Sequence, residues 1–259
     1  GVIGQKLPVE KVLDGVRQII PAKLDKANGS DAAYAIMTTD TVRKESAYEL
    51  ELSSGTIRIG ASDMIFEYFL ADKIVTYHEK FPAVKIELVS DLTHKTLEAL
   101  KTNKCDVGFI NLPIPSDPEL TVYGNCMRLT DVFVTNEQHI ELTKGVIPLS
   151  KLQEYPLILM DPNTIARKSM TVFLENNGIE LKPSIEISSW DLMKRLVIRG
   201  MGVGCIPREY ALHRLADKSM YEIKTDPALP ARSSGMALPK NAQIPYALRA
   251  FIDLFDLDI

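Results

Sequence analysis

The sequence predicts an α/β protein with two similar lobes and mostly parallel sheets, preceded by a short α/β extension. After Gly55, short apolar segments typical of strands alternate with segments that have the apolar period of helices. The alternation falls into two similar units, residues 56–130 with 234–259 and residues 131–233, between which the chain crosses twice. This arrangement predicts a hinged domain with a ligand cleft between the lobes, at strand carboxyl ends and helix amino ends.

The first 55 residues have a different pattern. Pro8 opens one amphipathic helix over residues 8–27, in which apolar side chains recur every three or four positions. Residues 28–31 supply a turn, and residues 47–52 alternate as a strand does. One amphipathic helix cannot build much core unaided, so we expect this segment to dock on the rest or to remain loose.

Strands and helices alternate through the first lobe, because short apolar runs bounded by turns are followed by helical periods. The predicted order is strand 56–60, helix 62–80, strand 84–89, helix 95–102 and strand 106–111. After the second lobe, a strand at 234–238 and a helix at 246–254 are expected to complete this unit.

The second lobe repeats the alternation. A strand at 131–135 is expected to leave the first lobe. It is followed by a segment at 149–153, strand 157–160, helix 165–176, strand 184–187, helix 190–199 and strand 204–206.

Composition excludes several classes of protein. With 46% hydrophobic and 25% charged residues among 259, the chain can bury one large core or two modest ones. No apolar run approaches the ~20 residues that span a bilayer, so we expect no membrane partner and a cytoplasmic location. The formal net charge of −4 argues against an extended nucleic-acid surface, which needs clustered Lys and Arg.

Cysteine and histidine positions give no metal-site pattern. The three cysteines are widely spaced beside apolar residues and are interpreted as buried reduced thiols: Cys105, Cys126 and Cys205. The four histidines do not lie at metal-ligand spacing: His78, His94, His139 and His213. We therefore expect neither a metal nor another cofactor.

Four segments in the second part of the chain carry a family resemblance. They are Thr56-Ile-Arg-Ile-Gly-Ala-Ser62, Phe81-Pro-Ala-Val-Lys-Ile-Glu-Leu88, residues 97–110 and residues 196–207. In this order and spacing they resemble the effector-binding domain of LysR-type transcriptional regulators, which is similar to the type 2 periplasmic-binding fold. The resemblance implies a non-enzymatic sensor that binds a small-molecule effector, with organic acids and amino-acid derivatives as candidates. It also implies a homodimer that contacts DNA only through a helix-turn-helix, which this chain lacks.

The resemblance places the first-lobe side of the site at two helix starts. Ser62, Asp63 and Met64 lie where the first strand becomes a helix, so free amides and a hydroxyl can hold an anion. Ser62 could also be a plain N-cap, and the two roles are compatible. Thr93 and His94 begin the next helix, where the family usually has Ser or Thr. Here His94 fits that position best, which leaves the nature of the effector open, and a solvated or packed histidine is an equal alternative.

Further candidates are Asn111 and residues of the second lobe. Asn111 ends a strand, and a cleft or hinge role competes with a plain turn. Thr164 and Ile165 match the far wall of the family pocket, whereas Arg167 could face an anionic ligand or form a local salt bridge. A strand expected to reach the cleft contributes Val203, Gly204 and Cys205.

Two other features of the second lobe bear on its packing and chemistry. Gly200 and Gly202 are expected to allow close approach of a helix to the strand that follows them. Trp190, the single tryptophan, is interpreted as a packing residue rather than a ligand-stacking one. No Ser/His/Asp order or paired carboxylates point to catalysis, and the Gly-rich residues 200–204 lack the lysine of a phosphate-binding loop. We therefore expect no enzymatic activity in this part.

Residues 1–57 carry a second resemblance. Leu7-Pro-Val-Glu-Lys-Val12 and Ala35-Ile-Met-Thr-Thr-Asp-Thr41 resemble bifunctional ornithine acetyltransferase/N-acetylglutamate synthase, in which Gly1 would match an oxyanion glycine. That family's nucleophilic threonine lies beyond the Arg-Ile-Gly position, where this chain already reads Ala61-Ser-Asp-Met64. The rival function, glutamate N-acetyltransferase of arginine biosynthesis, is therefore expected to be inactive.

The junction lies at Thr56-Ile-Arg-Ile-Gly60, which fits both families. A natural fusion, an engineered sequence and a misassembled one all remain open. A solute-binding protein of the same bilobed fold is a third functional class, but the sequence has no export signal and its local pattern favours the regulator.

Overall fold

The computed structural model describes residues 52, 54–240 and 242–255. The predicted helix over 8–27 and the turn over 28–31 lie outside these residues, as does the strand over 47–52 except for residue 52.

Eleven strands are present in the described part. In chain order they are β1 Thr56–Ala61, β2 Lys85–Ser90, β3 Val107–Leu112, β4 Leu120–Leu129, β5 Asp131–Thr135, β6 Val146–Pro148, β7 Leu157–Met160, β8 Ile185–Ile187, β9 Val203–Pro207, β10 Tyr221–Asp226 and β11 Arg232–Pro239.

Helices separate most of these strands. Helix α1 runs over residues 63–80 as Asp63–Ile65, a π-helical turn Phe66–Leu70 and Ala71–Lys80. The other α-helices are α2 Thr93–Lys101, α3 Ile165–Asn176, α4 Trp190–Ile198, α5 Arg208–Ala216 and α6 Tyr246–Ile252. Two 3₁₀ helices cover Glu137–Thr143 and Leu149–Glu154.

Within the described residues the strands form two sheets, one for each predicted lobe. The first has the order β2-β1-β3-β11-β4 and the second β6-β10-β5-β9-β7-β8. Parallel pairs form between β1 and β2, β1 and β3, β6 and β10, β7 and β8, and β7 and β9. The pairings of β11 and β5 with their neighbours are antiparallel. The predicted two-lobed α/β fold is confirmed.

Each sheet has its own core. In the first sheet, Ile57 and Ile59 of β1 are buried in one apolar cluster with Phe109 of β3 and Phe251 of α6. The last helix described therefore covers a sheet face that includes the first strand. In the second sheet, Phe133 and Val134 are both buried but belong to different apolar clusters. Successive side chains of a strand point to opposite faces, so the second sheet is covered by apolar groups on both sides.

Several elements were absent from the sequence prediction. They are β4, β6, β10, α5 and the 3₁₀ helix Glu137–Thr143. The most polar of them are α5 and β10, whose buried positions are few and lack a clean apolar period. Packing in the second lobe, rather than a local sequence pattern, gives α5 and β10 their structure.

A buried ion pair joins the two places where the chain crosses between the sheets. Asp131 begins β5 directly after the first crossing, and Arg232 begins β11 after the second. The Nη2 atom of Arg232 lies 2.7 Å from Oδ1 of Asp131, and Nε donates to Oδ2. Their side chains are only 4% and 7% exposed. The first crossing is also fixed by α5, because the Thr130 amide donates to the Glu209 carboxylate and Arg208 donates its amide to the Thr130 carbonyl.

Glycines after α4 permit close backbone contacts. Gly202 has a φ of +143°, and a Cβ there would overlap the carbonyl oxygen of Pro156. The expectation that Gly200 and Gly202 bring a helix close to a strand needs correction, because the contact with α4 is made at Gly204. There a Cβ would lie 2.7 Å from Cγ2 of Val197.

Replacing Asp131 with Ala should lower the free energy of unfolding by about 3–5 kcal/mol, because Arg232 would keep its charge in a buried place without its anion. Urea unfolding followed by circular dichroism measures the loss. Lys182→Gln is the control, because the Lys182–Glu180 pair is 81% and 74% exposed and should contribute much less. A loss for Asp131→Ala no larger than that of the control would contradict this role.

Gly202→Ala should destabilise the protein by more than about 1 kcal/mol, since the native φ is unfavourable for a residue with a Cβ and Pro156 blocks the space. Gly145→Ala is the matched control, because no atom lies within 4 Å of a Cβ built there. Comparable melting temperatures for the two variants would contradict the close approach of Gly202 to Pro156.

Candidate ligand-binding cleft

A cavity of about 720 Å³ lies between the two sheets and is lined by residues of both. Carboxyl ends of parallel strands open into it from each lobe. The lining residues at or directly after these ends are Ser62, Ser90, Asn111, Asp161, Ser188 and Pro207. This is where open α/β sheets place their ligands, because strand ends and loops leave backbone groups unpaired there.

The amino ends of five described helices, α1 to α5, also meet this cavity. Thr164 caps α3 by accepting the Arg167 amide at 3.3 Å, and Ser189 caps α4 by accepting the Leu192 amide at 3.3 Å. Ser62 occupies the N-cap position of α1, but its side chain makes no capping hydrogen bond. Unpaired amides and aligned helix dipoles make this region favourable for an anionic group.

All three candidates at the start of α1 line the cavity. The Asp63 carboxylate accepts a hydrogen bond from the Ser90 hydroxyl, which ties the end of β2 to the start of α1. Met64 is 4% exposed and packs with Tyr210 of the opposite lobe. The structure therefore brings these residues to a boundary between the lobes.

The other first-lobe candidates also line the cavity. Thr93 accepts the backbone amide of Asn111 at 3.2 Å, which links the start of α2 to β3. Asn111 is within β3 and pairs in register with Ser234 of β11, so the plain-turn interpretation is excluded. His94 lies at the exposed rim of the cavity.

The second-lobe candidates divide into two groups. Thr164 and Ile165 line the cavity, and the Thr164 hydroxyl donates to the carbonyl of Asp161 at 2.8 Å. Arg167 does not line it. Its Nη1 atom lies 2.9 Å from Glu186 Oε1 and 3.0 Å from the Met160 carbonyl oxygen. Of the two alternatives for Arg167, the structure therefore has the local salt bridge.

Val203, Gly204 and Cys205 lie outside the cavity lining. Strand β9 does reach the cleft, but with its last residue, Pro207. Val203 is at the amino end and pairs with Leu157, the first residue of β7. Ligands of open α/β sheets bind at the carboxyl ends of strands, so the geometry of β9 favours Pro207 over the predicted Val203, Gly204 and Cys205.

Several lining residues were not singled out from the sequence: Asp161, Lys168, Pro207, Tyr210 and Arg232. Asp161 and Pro207 each directly follow a predicted strand. Both could have been predicted from the tendency of ligands to bind at the carboxyl ends of strands. Tyr210 lies on the unpredicted α5, and Arg232 precedes the predicted start of β11, so neither carried a local signal. Trp190 packs against neighbouring apolar residues, as predicted, and also lines the cleft.

Aromatic contacts join the lobes at one end of the cleft. The rings of Tyr68 in α1 and Tyr210 in α5 are 4.8 Å apart between centroids. The ammonium group of Lys194 in α4 lies 3.1 Å from the Tyr68 hydroxyl and 2.8 Å from Asp191. Burial raises the pKa of Tyr210 well above its usual value, so this phenol stays protonated at neutral pH.

The charges around the cleft are mixed. Lining carboxylates come from Asp63, Asp91, Asp161 and Asp191, and lining cations are Lys168 and Arg232. Helix amides can hold an acidic group, while the carboxylates can accept from hydroxyl or amino groups.

No set of three His, Cys, Asp or Glu side chains suited to a metal occurs in the described part of the chain. Likewise, none of the helices described is long and apolar enough to cross a membrane.

The thiol of Cys205 should not react with a thiol-specific reagent in the folded protein, because it is buried and desolvation raises its pKa well above the usual value. Labelling with a chromogenic disulfide at pH 8 tests this. Cys205→Ser should leave the native labelling unchanged and remove one thiol after denaturation. If native Cys205→Ser instead lacked a fast-reacting thiol that the unchanged protein has, Cys205 would be accessible from the cleft.

Comparison with known proteins agrees with this geometry. Residues 51–256 match the LysR substrate binding domain, and residues 1–63 match the ArgJ family. The HTH-type transcriptional regulator YeiE of Escherichia coli strain K12 is 25% identical over 216 residues, covering 82% of this chain and 73% of YeiE. The arginine biosynthesis bifunctional protein ArgJ of Symbiobacterium thermophilum is 49% identical over 61 residues, which are 24% of this chain and 15% of ArgJ.

Solved structures share the fold. The effector binding domain of QuiR in complex with shikimate has a TM-score of 0.68 at 18% identity, covering 78% of this chain and 95% of that one. The regulatory domain of CcmR from Synechocystis PCC6803 in complex with 2-PG has a TM-score of 0.69 at 16% identity, covering 77% and 94%. After an N-terminal segment that is similar to ArgJ, this chain belongs to the LysR substrate binding domain family.

Proposed function

We propose that the cleft binds a small-molecule effector and that the chain senses it without chemical turnover. The observation that carries this proposal is the convergence of strand ends and helix amino ends from both lobes on one cavity. A molecule held there contacts both lobes, so its binding energy favours one lobe arrangement over others. The structures of QuiR with shikimate and CcmR with 2-PG support a small ligand for this fold.

The proposed effector is a small organic acid or amino-acid derivative. Its acidic group would lie at the starts of α1 and α2, near Ser62, Thr93 and His94, where amides and hydroxyls face the cavity. Its hydroxyl or amino groups would donate to lining carboxylates such as Asp161. The full proposed set is Ser62, Asp63, Met64, Thr93, His94, Asn111, Thr164 and Ile165.

The arrangement of the cleft supports binding rather than catalysis. Among the described residues, the Ser90 hydroxyl donates to Asp63, and no lining hydroxyl donates to His94. A serine or threonine nucleophile needs an adjacent base that is itself oriented by a third group. The acetyltransferase segment is proposed to be inert as well, because the match to ArgJ stops before the nucleophilic threonine implied by that resemblance.

The wider organisation is also a proposal. The proposed division puts residues 56–130 with 234–259 in one lobe and residues 131–233 in the other, and the presence of two separate sheets among the described residues supports it. The family supports a cytoplasmic homodimer, in which a helix-turn-helix rather than these two lobes would contact DNA. Edge strand β2 exposes Leu88 and helix α1 exposes Val75, at 51% and 56%, so this face offers apolar surface to a second copy.

Thermal-shift screening of small acids and amino-acid derivatives should find a ligand that stabilises the chain. Ser62→Ala should weaken its affinity about tenfold, because one polar contact is lost and the ligand group that it served stays desolvated without a hydrogen bond. Titration calorimetry measures the change, and Ser150→Ala, at an exposed position outside the cleft, should leave affinity unaltered. A stabilising ligand indifferent to changes at Ser62, His94 and Thr164 alike would refute this site.

A further inference from the structure

A second cavity, of about 660 Å³, adjoins the crossing strands and is called the hinge cavity here. Its walls are the end of β3, the end of β4, the residues before and at the start of β11, and one residue of α3. The polar members are Arg128, Ser169, Arg232 and Ser233. Arg232 lines both this cavity and the cleft, so one member of the ion pair that joins the crossings borders both.

The charge of the hinge cavity differs from that of the cleft. Two arginines line it, and no carboxylate does so among the described residues. Ser169 from helix α3 and Ser233 from β11, a strand of the first sheet, add two hydroxyl donors. A concave site with guanidinium groups and hydroxyls, but no competing anion in its lining, matches the hydrogen-bonding needs of an oxyanion.

Arg232 also has an unused donor. Its Nε and Nη2 atoms both donate to Asp131, so the fixed fork of the guanidinium directs Nη1 away from that carboxylate. Nη1 is buried and has no hydrogen-bond acceptor among the residues that the structure describes. A buried N–H of a charged group without an acceptor is costly, and such groups need an explanation.

We propose that the hinge cavity binds a small oxyanion between Arg128 and Arg232. Arg128 is exposed at the cavity and can meet the anion first, whereas Nη1 of Arg232 is covered and has to be drawn toward it. Movement of Arg232 pulls on Asp131 and therefore on both crossings. Oxyanion binding at this site would alter the preferred lobe arrangement, separately from the effector in the cleft.

Thermal unfolding of the full chain in Tris chloride tests the site, because this buffer supplies no oxyanion. Phosphate, sulfate and acetate are titrated separately against sodium chloride of equal ionic strength. At least one oxyanion should stabilise the chain saturably beyond chloride. Arg128→Gln and Arg232→Lys should each weaken the apparent affinity at least fivefold. Arg199→Gln, which removes an exposed charge outside both cavities, should have no effect. Ser62→Ala is titrated alongside to detect any oxyanion that binds in the cleft instead.

The outcomes separate this site from the effector site. The hinge site is overturned if none of the three oxyanions stabilises the chain saturably. It is also overturned if the stabilisation persists in both arginine variants. Stabilisation lost in Ser62→Ala but kept in Arg128→Gln would put the oxyanion in the cleft, which overturns the hinge site and supports the proposed effector site. Arg128 is exposed, so its variant remains informative even if Arg232→Lys fails to fold.

Discussion

The pairing of Asp131 with Arg232 is the constraint on which the arrangement of the two lobes depends. The two residues follow the two crossings between the sheets, so one ion pair fixes both connections at once. Burial makes each charge dependent on the other, because neither can be hydrated without opening this region. The cleft, the aromatic contact between Tyr68 and Tyr210 and the hinge cavity all take their geometry from these crossings.

The cleft follows from strand direction. Parallel strands of both sheets end at the same cavity, and five of them, β1, β2, β7, β8 and β9, are followed by a helix whose amino end meets it. Small polar residues at these turns, such as Ser62 and Thr164, leave room for a ligand and supply hydroxyls. The same geometry explains why the site contains residues far apart in sequence that no single motif would connect.

Much of the fold, but less of the site, could be predicted from the sequence. Helix α3 and strands β5 and β7 have the predicted bounds, because their apolar periods reflect faces that are buried. Ser62 and Thr164 were predicted at the cleft because ligands bind near the carboxyl ends of parallel strands, and both line it. At β9 the prediction named Val203, whereas Pro207 lines the cavity. Tyr210 and Arg232 could not be found, since their places depend on contacts between lobes rather than on local pattern.

The proposal that matters most is that the domain formed by the two lobes senses a ligand held between them. Hydrogen exchange with and without the acid that most stabilises the chain tests this claim most directly. The claim predicts slower exchange at the amino ends of α1 and α2 in one lobe and of α3 and α4 in the other. Protection confined to one lobe, or to segments away from these helix starts, would contradict it.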